Sequence, residues 1–131
     1  MKNLAFLFPG QGSQYAGMGK DIFDQFSSAR ELLQEAEDLL SYKISDVMFF
    51  GTDEALKETK NAQLAVFLHS VMILKVLEKE FPARPQVTAG LSLGEYTALF
   101  AAKKISFKEA LLLIQKRAIF MKLLILLQDN F

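Results

Sequence analysis

The stretch Gly90-Leu91-Ser92-Leu93-Gly94 places a serine hydroxyl between two glycines, after a run of small and β-branched residues and before an alanine-rich helical pattern. This order of strand, tight turn and helix is typical of a nucleophile elbow, in which the flanking glycines permit a strained turn and the serine projects above the strand. The positive end of the following helix is directed at the same point. The pattern predicts Ser92 as an acyl-transfer nucleophile, while a turn in which Ser92 merely caps the helix is the alternative.

A serine nucleophile of this kind needs hydrogen-bond donors for the oxyanion that develops on the attacked carbonyl group. One donor is expected from the backbone amide of the residue after the nucleophile, Leu93. The glycine-rich stretch PGQGSQYAGMG follows an apolar run near the N-terminus, and Gln11 or Ser13 could present the second amide. These glycines do not fit a dinucleotide-binding loop, because Tyr15 stands where a third glycine is required. A connecting loop without a role is the other interpretation.

Three motifs in this order, FPGQGSQ, GLSLGEYTAL and QKRAIFM, together resemble the malonyl-CoA:acyl carrier protein transacylase family. The resemblance implies that Ser92 takes the malonyl group from malonyl-CoA as an ester, with the amides of Gln11 and Leu93 forming the oxyanion hole. It implies that Arg117 binds the free malonyl carboxylate and that Gln63 lies near the pocket. The phosphopantetheine thiol of acyl carrier protein then accepts the acyl group, in fatty acid biosynthesis. Malonyl-CoA and acyl carrier protein are the implied partners, with no cofactor and no metal.

The chemistry of the arginine supports this assignment independently. A malonyl group differs from an acetyl group by one carboxylate, and a guanidinium group pairs with a carboxylate through two parallel hydrogen bonds. Arg117 has apolar neighbours in the sequence, among them Ile114 and Ala118, so partial burial of its side chain is expected. A solvated arginine on a helix surface is the alternative.

The chain departs from the family pattern at several positions. Leu91 stands where the family commonly has a histidine, Lys103 replaces a turn glycine, and the resemblance, which begins at residue 3, ends after Met121. The family's general base is a histidine well after the serine, whereas no histidine follows Ser92 in this sequence. His69 is the only histidine, and its place in a long apolar run predicts a core or boundary residue. The general base is therefore not identified within the chain.

The elements that must position these residues alternate between helix and strand. The apolar spacing predicts strands over 3–8 and 86–90, and helices over 22–40, 44–50, 54–59, 63–80, 95–102 and 106–117. The first strand is expected to be buried on both faces, and the helix over 63–80 is apolar on nearly all sides, which predicts deep burial. Ser106 and Glu109 match a capping box at the start of the last helix.

This alternation predicts an α/β fold with a parallel sheet. Two strands are few for a sheet and the last residues show no closing element, so residues 1–131 are expected to form the N-terminal portion of an acyltransferase domain, truncated and inactive alone. The resemblance implies an α/β-hydrolase-like core. The rest of that core and a ferredoxin-like small subdomain would lie outside this chain.

Composition excludes several other classes of protein. Fifteen basic residues balance 15 acidic residues without a basic run, which argues against a nucleic-acid partner. The absence of cysteine excludes disulfide frameworks and thiolate metal sites. The apolar runs 4–8 and 119–127 are too short for a signal peptide or a membrane span. A soluble cytoplasmic protein without a membrane partner is expected.

Two other functions stay open on the sequence alone. An esterase or thioesterase of the α/β-hydrolase type would share the elbow at Ser92 but has no need of Arg117. A non-catalytic product would retain the motifs without activity, and the absence of a histidine after Ser92 favours it.

Overall fold

The computed structural model describes residues 3–130. In chain order these residues form β1 (Ala5–Phe8), α1 (Lys20–Gln25), α2 (Ser27–Leu40), α3 (Ile44–Phe50), α4 (Asp53–Lys57), α5 (Thr59–Glu80), β2 (Val87–Gly90), α6 (Gly94–Ala101) and α7 (Phe107–Gln128). The two strands pair in parallel, with Ala5 opposite Val87 and Phe8 opposite Gly90. The helices and the parallel pair of strands confirm the predicted α/β class with a parallel sheet.

Helix α5 is the centre of the core. Every residue from Asn61 to Leu68 is buried, and α2, α6 and α7 all pack against this helix. By length and composition α5 could also cross a membrane, yet 67% of its most apolar window is buried inside the fold. This burial is typical of the central helix of a globular core and confirms the prediction made from its all-round apolar pattern.

The segment predicted as one helix over 22–40 is two helices. Phe26 has an extended backbone with φ −121° and ψ 123°, which ends α1 and precedes α2. The Arg30 side chain of α2 donates hydrogen bonds to the carbonyl oxygens of Phe23 and Asp24, at 2.8 and 3.0 Å. The single-helix prediction is wrong because both helices present apolar side chains to the same core, so the apolar spacing continues across the break.

The strands are more exposed than predicted. Leu7 in β1 is 77% exposed and Val87 in β2 is 59% exposed, so the prediction of a strand buried on both faces is wrong. Within residues 3–130 the sheet has two strands, and α6 is the only helix that packs extensively against them. One face of each strand therefore lacks a covering layer among these residues.

Helix α7 begins at the predicted capping box. The Ser106 Oγ atom accepts a hydrogen bond from the Glu109 amide at 3.1 Å, and the Glu109 carboxylate accepts one from the Ser106 amide at 2.8 Å. The buried residues of α7 end at Ala118, although the helix continues to Gln128. The first half of α7 thus fixes Arg117 against the core, while the last turns extend beyond it.

Candidate active site

Strand β2 leads directly into the tight turn that carries Ser92. Ser92 has φ +54°, in the left-handed region that non-glycine residues rarely adopt and that costs about 1–3 kcal/mol. The Gly94 amide donates to the Leu91 carbonyl oxygen at 2.9 Å, and the Glu95 amide donates to the Ser92 carbonyl oxygen at 3.1 Å. These bonds hold an exposed serine in a strained conformation at the start of α6.

The glycines on either side of Ser92 allow close backbone approach. A Cβ atom at Gly90 would overlap the Gly94 carbonyl oxygen, and a Cβ atom at Gly94 would overlap the Phe8 carbonyl oxygen. Neither glycine has a positive φ. The two glycines therefore let α6 start in contact with both strands, and the serine itself adopts the strained conformation.

The Arg117 side chain reaches the serine from α7. Its Nη2 donates a hydrogen bond to Ser92 Oγ at 2.8 Å, and its Nη1 donates to Gln63 Oε1 at 2.8 Å. The guanidinium carbon also lies 5.9 Å from the centroid of the Tyr96 ring. Arg117 is half-buried, as predicted, and a freely solvated surface arginine does not fit this geometry.

Gln63 lies beneath the arginine and is fully buried. Its Oε1 accepts from Arg117, and its Nε2 donates to Met121 Sδ at 3.2 Å and to Gln11 Oε1 at 3.5 Å. Three predicted side chains, those of Gln63, Arg117 and Ser92, therefore share one hydrogen-bonded network, with Gln11 at its edge. Because Gln63 is neutral, it orients the guanidinium group without cancelling its charge.

The positive charge of Arg117 has no ionic partner within residues 3–130. The ion pairs formed there involve Lys20, Lys75 and Lys103. A half-buried cation without a carboxylate partner is suited to an anionic ligand, since a guanidinium group binds carboxylates through two parallel hydrogen bonds.

The loop after β1 lies directly against the serine turn. Gly10 is buried against the Leu91 carbonyl group, and the Ser13 hydroxyl donates a hydrogen bond to the Gly10 carbonyl oxygen at 2.9 Å. The backbone amides of Gln11 and Leu93 donate no hydrogen bond to any acceptor in the described part of the chain. Both amides are available as donors, and their role in an oxyanion hole stays a prediction.

His69 takes no part in this network. It is half-buried on α5, and its ring packs edge-on against the Tyr15 ring with centroids 6.0 Å apart. Burial lowers the pKa of His69, and the charge of Asp21 partly opposes that shift. The prediction of a core or boundary histidine is confirmed. Residues 3–130 also contain no group of three or more potential metal ligands.

Sequence reasoning missed two residues of the site, Tyr96 and Met121. Met121 follows Arg117 by four positions on the same helix, so this spacing could have indicated Met121. Ser92 precedes α6 in a left-handed turn, so helical spacing does not predict the place of Tyr96 beside Arg117.

Comparison with known proteins shows that this chain is similar to acyl transferases. A family model described as the acyl transferase domain matches residues 5–129. The malonyl CoA-acyl carrier protein transacylase of Bacillus subtilis strain 168 is 47% identical over 121 residues, which make up 92% of this chain and 38% of that protein. The protein of the same name from Staphylococcus aureus strain COL is 39% identical over 117 residues, 89% of this chain and 37% of that protein.

Solved structures with a similar fold include the acyl-carrier-protein-S-malonyltransferase of Bartonella henselae. It has a TM-score of 0.88 at 40% identity, covering 92% of this chain and 40% of that one. A malonyl-transacylase in complex with its type II PKS acyl-carrier protein has a TM-score of 0.87 at 37% identity, covering 92% and 39%. The chain thus spans about two-fifths of the length of the relatives it matches.

Proposed function

Because this chain belongs to the acyl transferase domain family, we propose that it carries the nucleophile and the carboxylate site of a malonyl-CoA:acyl carrier protein transacylase. In the proposed reaction Ser92 attacks the thioester carbonyl group of malonyl-CoA, and coenzyme A leaves. The phosphopantetheine thiol of acyl carrier protein then takes the malonyl group from the acyl-serine ester, in fatty acid biosynthesis.

The observation that carries the proposal is the contact between Arg117 and Ser92. The guanidinium group, which has no ionic partner in residues 3–130, lies 2.8 Å from the serine oxygen. In a malonyl thioester a single methylene group separates the carboxylate from the reactive carbonyl carbon. A site for this substrate must therefore place a cation and a nucleophile side by side.

The backbone around Ser92 supports the nucleophile elbow and, with it, an α/β-hydrolase-like core. A strand, a strained serine with φ +54° and a helix follow one another as this motif requires. The amides of Gln11 and Leu93 are the proposed oxyanion donors. An esterase or thioesterase would use the same turn but gains nothing from an arginine beside the serine, so the malonyl transfer is favoured.

The proposal is tested in a chimera that joins residues 1–121 to the remaining part of the Bacillus subtilis transacylase. Malonyl transfer from malonyl-CoA to acyl carrier protein is measured for this chimera, for Ser92→Ala and for the control Ser27→Ala at an exposed position. We expect transfer in the parent and the control and none in Ser92→Ala. Transfer that persists in Ser92→Ala would refute the assignment of the nucleophile, and hydrolysis without transfer would favour the esterase.

A further inference from the structure

The atom that the proposed function makes the nucleophile already accepts a hydrogen bond from a cation. Arg117 is the one side chain among residues 3–130 that hydrogen-bonds to Ser92 Oγ, at 2.8 Å. His69, the only histidine in the sequence, also lies on α5, but it packs against Tyr15 and not, as Gln63 does, against Arg117. The serine oxygen is thus in direct contact with a positively charged group.

We propose that Arg117 has a second catalytic role besides holding a carboxylate: its Nη2–H group stabilises the negative charge that develops on Ser92 Oγ as the hydroxyl loses its proton. An opposite charge within 4–6 Å and a hydrogen bond to the ionised form both favour ionisation of an acid. The Nη2–H group already points at the serine oxygen, so the donor is preorganised for the charge that develops there. This inference rests on the proposed function in taking Ser92 as the nucleophile.

The surroundings of Arg117 maintain this contact. Gln63 is fully buried and holds Nη1 through a 2.8 Å hydrogen bond, and the Tyr96 ring lies beside the guanidinium group. The acidic side chain nearest to Ser92 in the sequence, Glu95, is exposed and pairs with neither residue. No carboxylate of the described residues therefore pairs with Arg117 and offsets its charge beside the serine oxygen.

One guanidinium group has enough donors for both roles. It carries five N–H groups, of which one bonds Gln63 and one bonds Ser92, so three stay available for a carboxylate. The number of donors therefore permits Arg117 to bind the malonyl carboxylate and to stabilise the serine oxygen.

A neutral reagent without a carboxylate separates the two roles of Arg117. With phenylmethanesulfonyl fluoride, the Ser92 oxygen forms a bond to sulfur and the sulfur–fluorine bond breaks. Fluoride leaves with the electron pair, and the hydroxyl proton passes to a buffer base. Because the reagent has no carboxylate to bind, an effect of Arg117 on this rate reports activation of the serine.

The experiment uses the 131-residue chain. Sulfonylation is followed by intact mass and located by peptide mapping in the parent, Arg117→Gln, Ser92→Ala and the control Arg84→Gln, which removes an exposed arginine from the loop before β2. Thermal unfolding checks that each variant is folded. We expect labelling at Ser92, a rate about 10- to 150-fold lower in Arg117→Gln, as for a lost hydrogen bond to a charged group, and an unchanged rate in Arg84→Gln.

Equal labelling rates at Ser92 in folded parent and Arg117→Gln would overturn the second role of Arg117 and leave the proposed function intact. Absence of labelling at Ser92 in the folded parent would also overturn the inference, whereas the assignment of Ser92 as the nucleophile is decided separately in the chimera. If Arg117→Gln does not fold, Arg117→Met replaces it, because methionine fills a similar volume without charge, and the same comparison decides.

Discussion

Ser92 adopts a left-handed backbone conformation, while the glycines at positions 90 and 94 do not. The motif predicted a strained turn made possible by these glycines, and the structure locates the strain in the serine. The glycines are needed for space, because α6 starts against the backbone of both strands. The strain holds the hydroxyl out of the turn, where Arg117 contacts it.

Replacing Arg117 by alanine in the chimera should reduce malonyl transfer more than acetyl transfer. The malonyl carboxylate loses hydrogen bonds to a charged group, which are worth about 1.5–3 kcal/mol each, or roughly 10- to 150-fold in rate. The ratio of kcat/KM for malonyl-CoA and acetyl-CoA measures this effect, with Arg84→Ala as the matched control. Equal losses for both substrates would mean that Arg117 does not recognise the carboxylate.

The half-buried His69 should make stability depend on pH. Burial lowers its pKa in the folded chain below the ordinary value of 6.5, so the unfolded chain binds more protons between the two values. Stability is therefore greatest above about pH 6.5 and falls as the pH decreases through this window. Between about pH 7.5 and about pH 5.5, the free energy of unfolding in urea should decrease more for the parent than for His69→Gln. Equal decreases in the two proteins would contradict the lowered pKa of His69.

Among the elements, the junction between β2 and α6 leaves no room for an added side-chain atom at Gly90 or Gly94. A Cβ atom at Gly94 would overlap the Phe8 carbonyl group, so α6 must move away from the sheet. We expect Gly94→Ala to reduce the free energy of unfolding by about 1–3 kcal/mol, the usual effect of overpacking. The exposed control Lys104→Ala should stay within about 0.5 kcal/mol of the parent. A Gly94→Ala variant as stable as the parent in urea would show that the junction can widen freely.

Local signals in the sequence predicted most elements but not their breaks or their contacts. The capping box at Ser106 was sufficient to predict the start of α7, and the all-round apolar pattern was sufficient to predict the burial of α5. Each signal depends on residues that are close together in the sequence. The break at Phe26 was not predictable, since the apolar face continues through it. The contact between Arg117 and Gln63 joins residues 54 positions apart and depends on how α7 packs against α5. The sequence motifs therefore predicted which residues belong to the site, whereas the contacts between these residues depend on tertiary packing.

Over the whole molecule, the described residues cover most of helix α5, as its apolar pattern predicted. Seven exposed large apolar side chains lie close together on the last turns of α7, at Ile119, Phe120, Leu123, Leu124, Ile125, Leu126 and Leu127. The family resemblance predicted from three motifs is confirmed, with the chain covering 38% of the Bacillus subtilis relative.

This surface should make the 131-residue chain associate in solution. Contiguous apolar patches larger than a few hundred Å² are rare on monomeric proteins and favour association. Sedimentation velocity should show concentration-dependent assemblies, which the double variant Leu124→Lys and Leu127→Lys reduces. The matched control Lys104→Ala should behave as the parent. A parent that stays monomeric at all concentrations would show that the α7 surface does not drive association.

The position of the malonyl group after reaction of the chimera with malonyl-CoA shows most directly whether Ser92 is the nucleophile. The reaction is stopped with acid, the protein is digested, and the modified peptide is identified by mass spectrometry. We predict a malonyl ester on Ser92 that is absent in Ser92→Ala and less abundant in Arg117→Ala. A malonyl adduct that persists in folded Ser92→Ala, or a folded and active parent without an adduct on Ser92, would contradict the account.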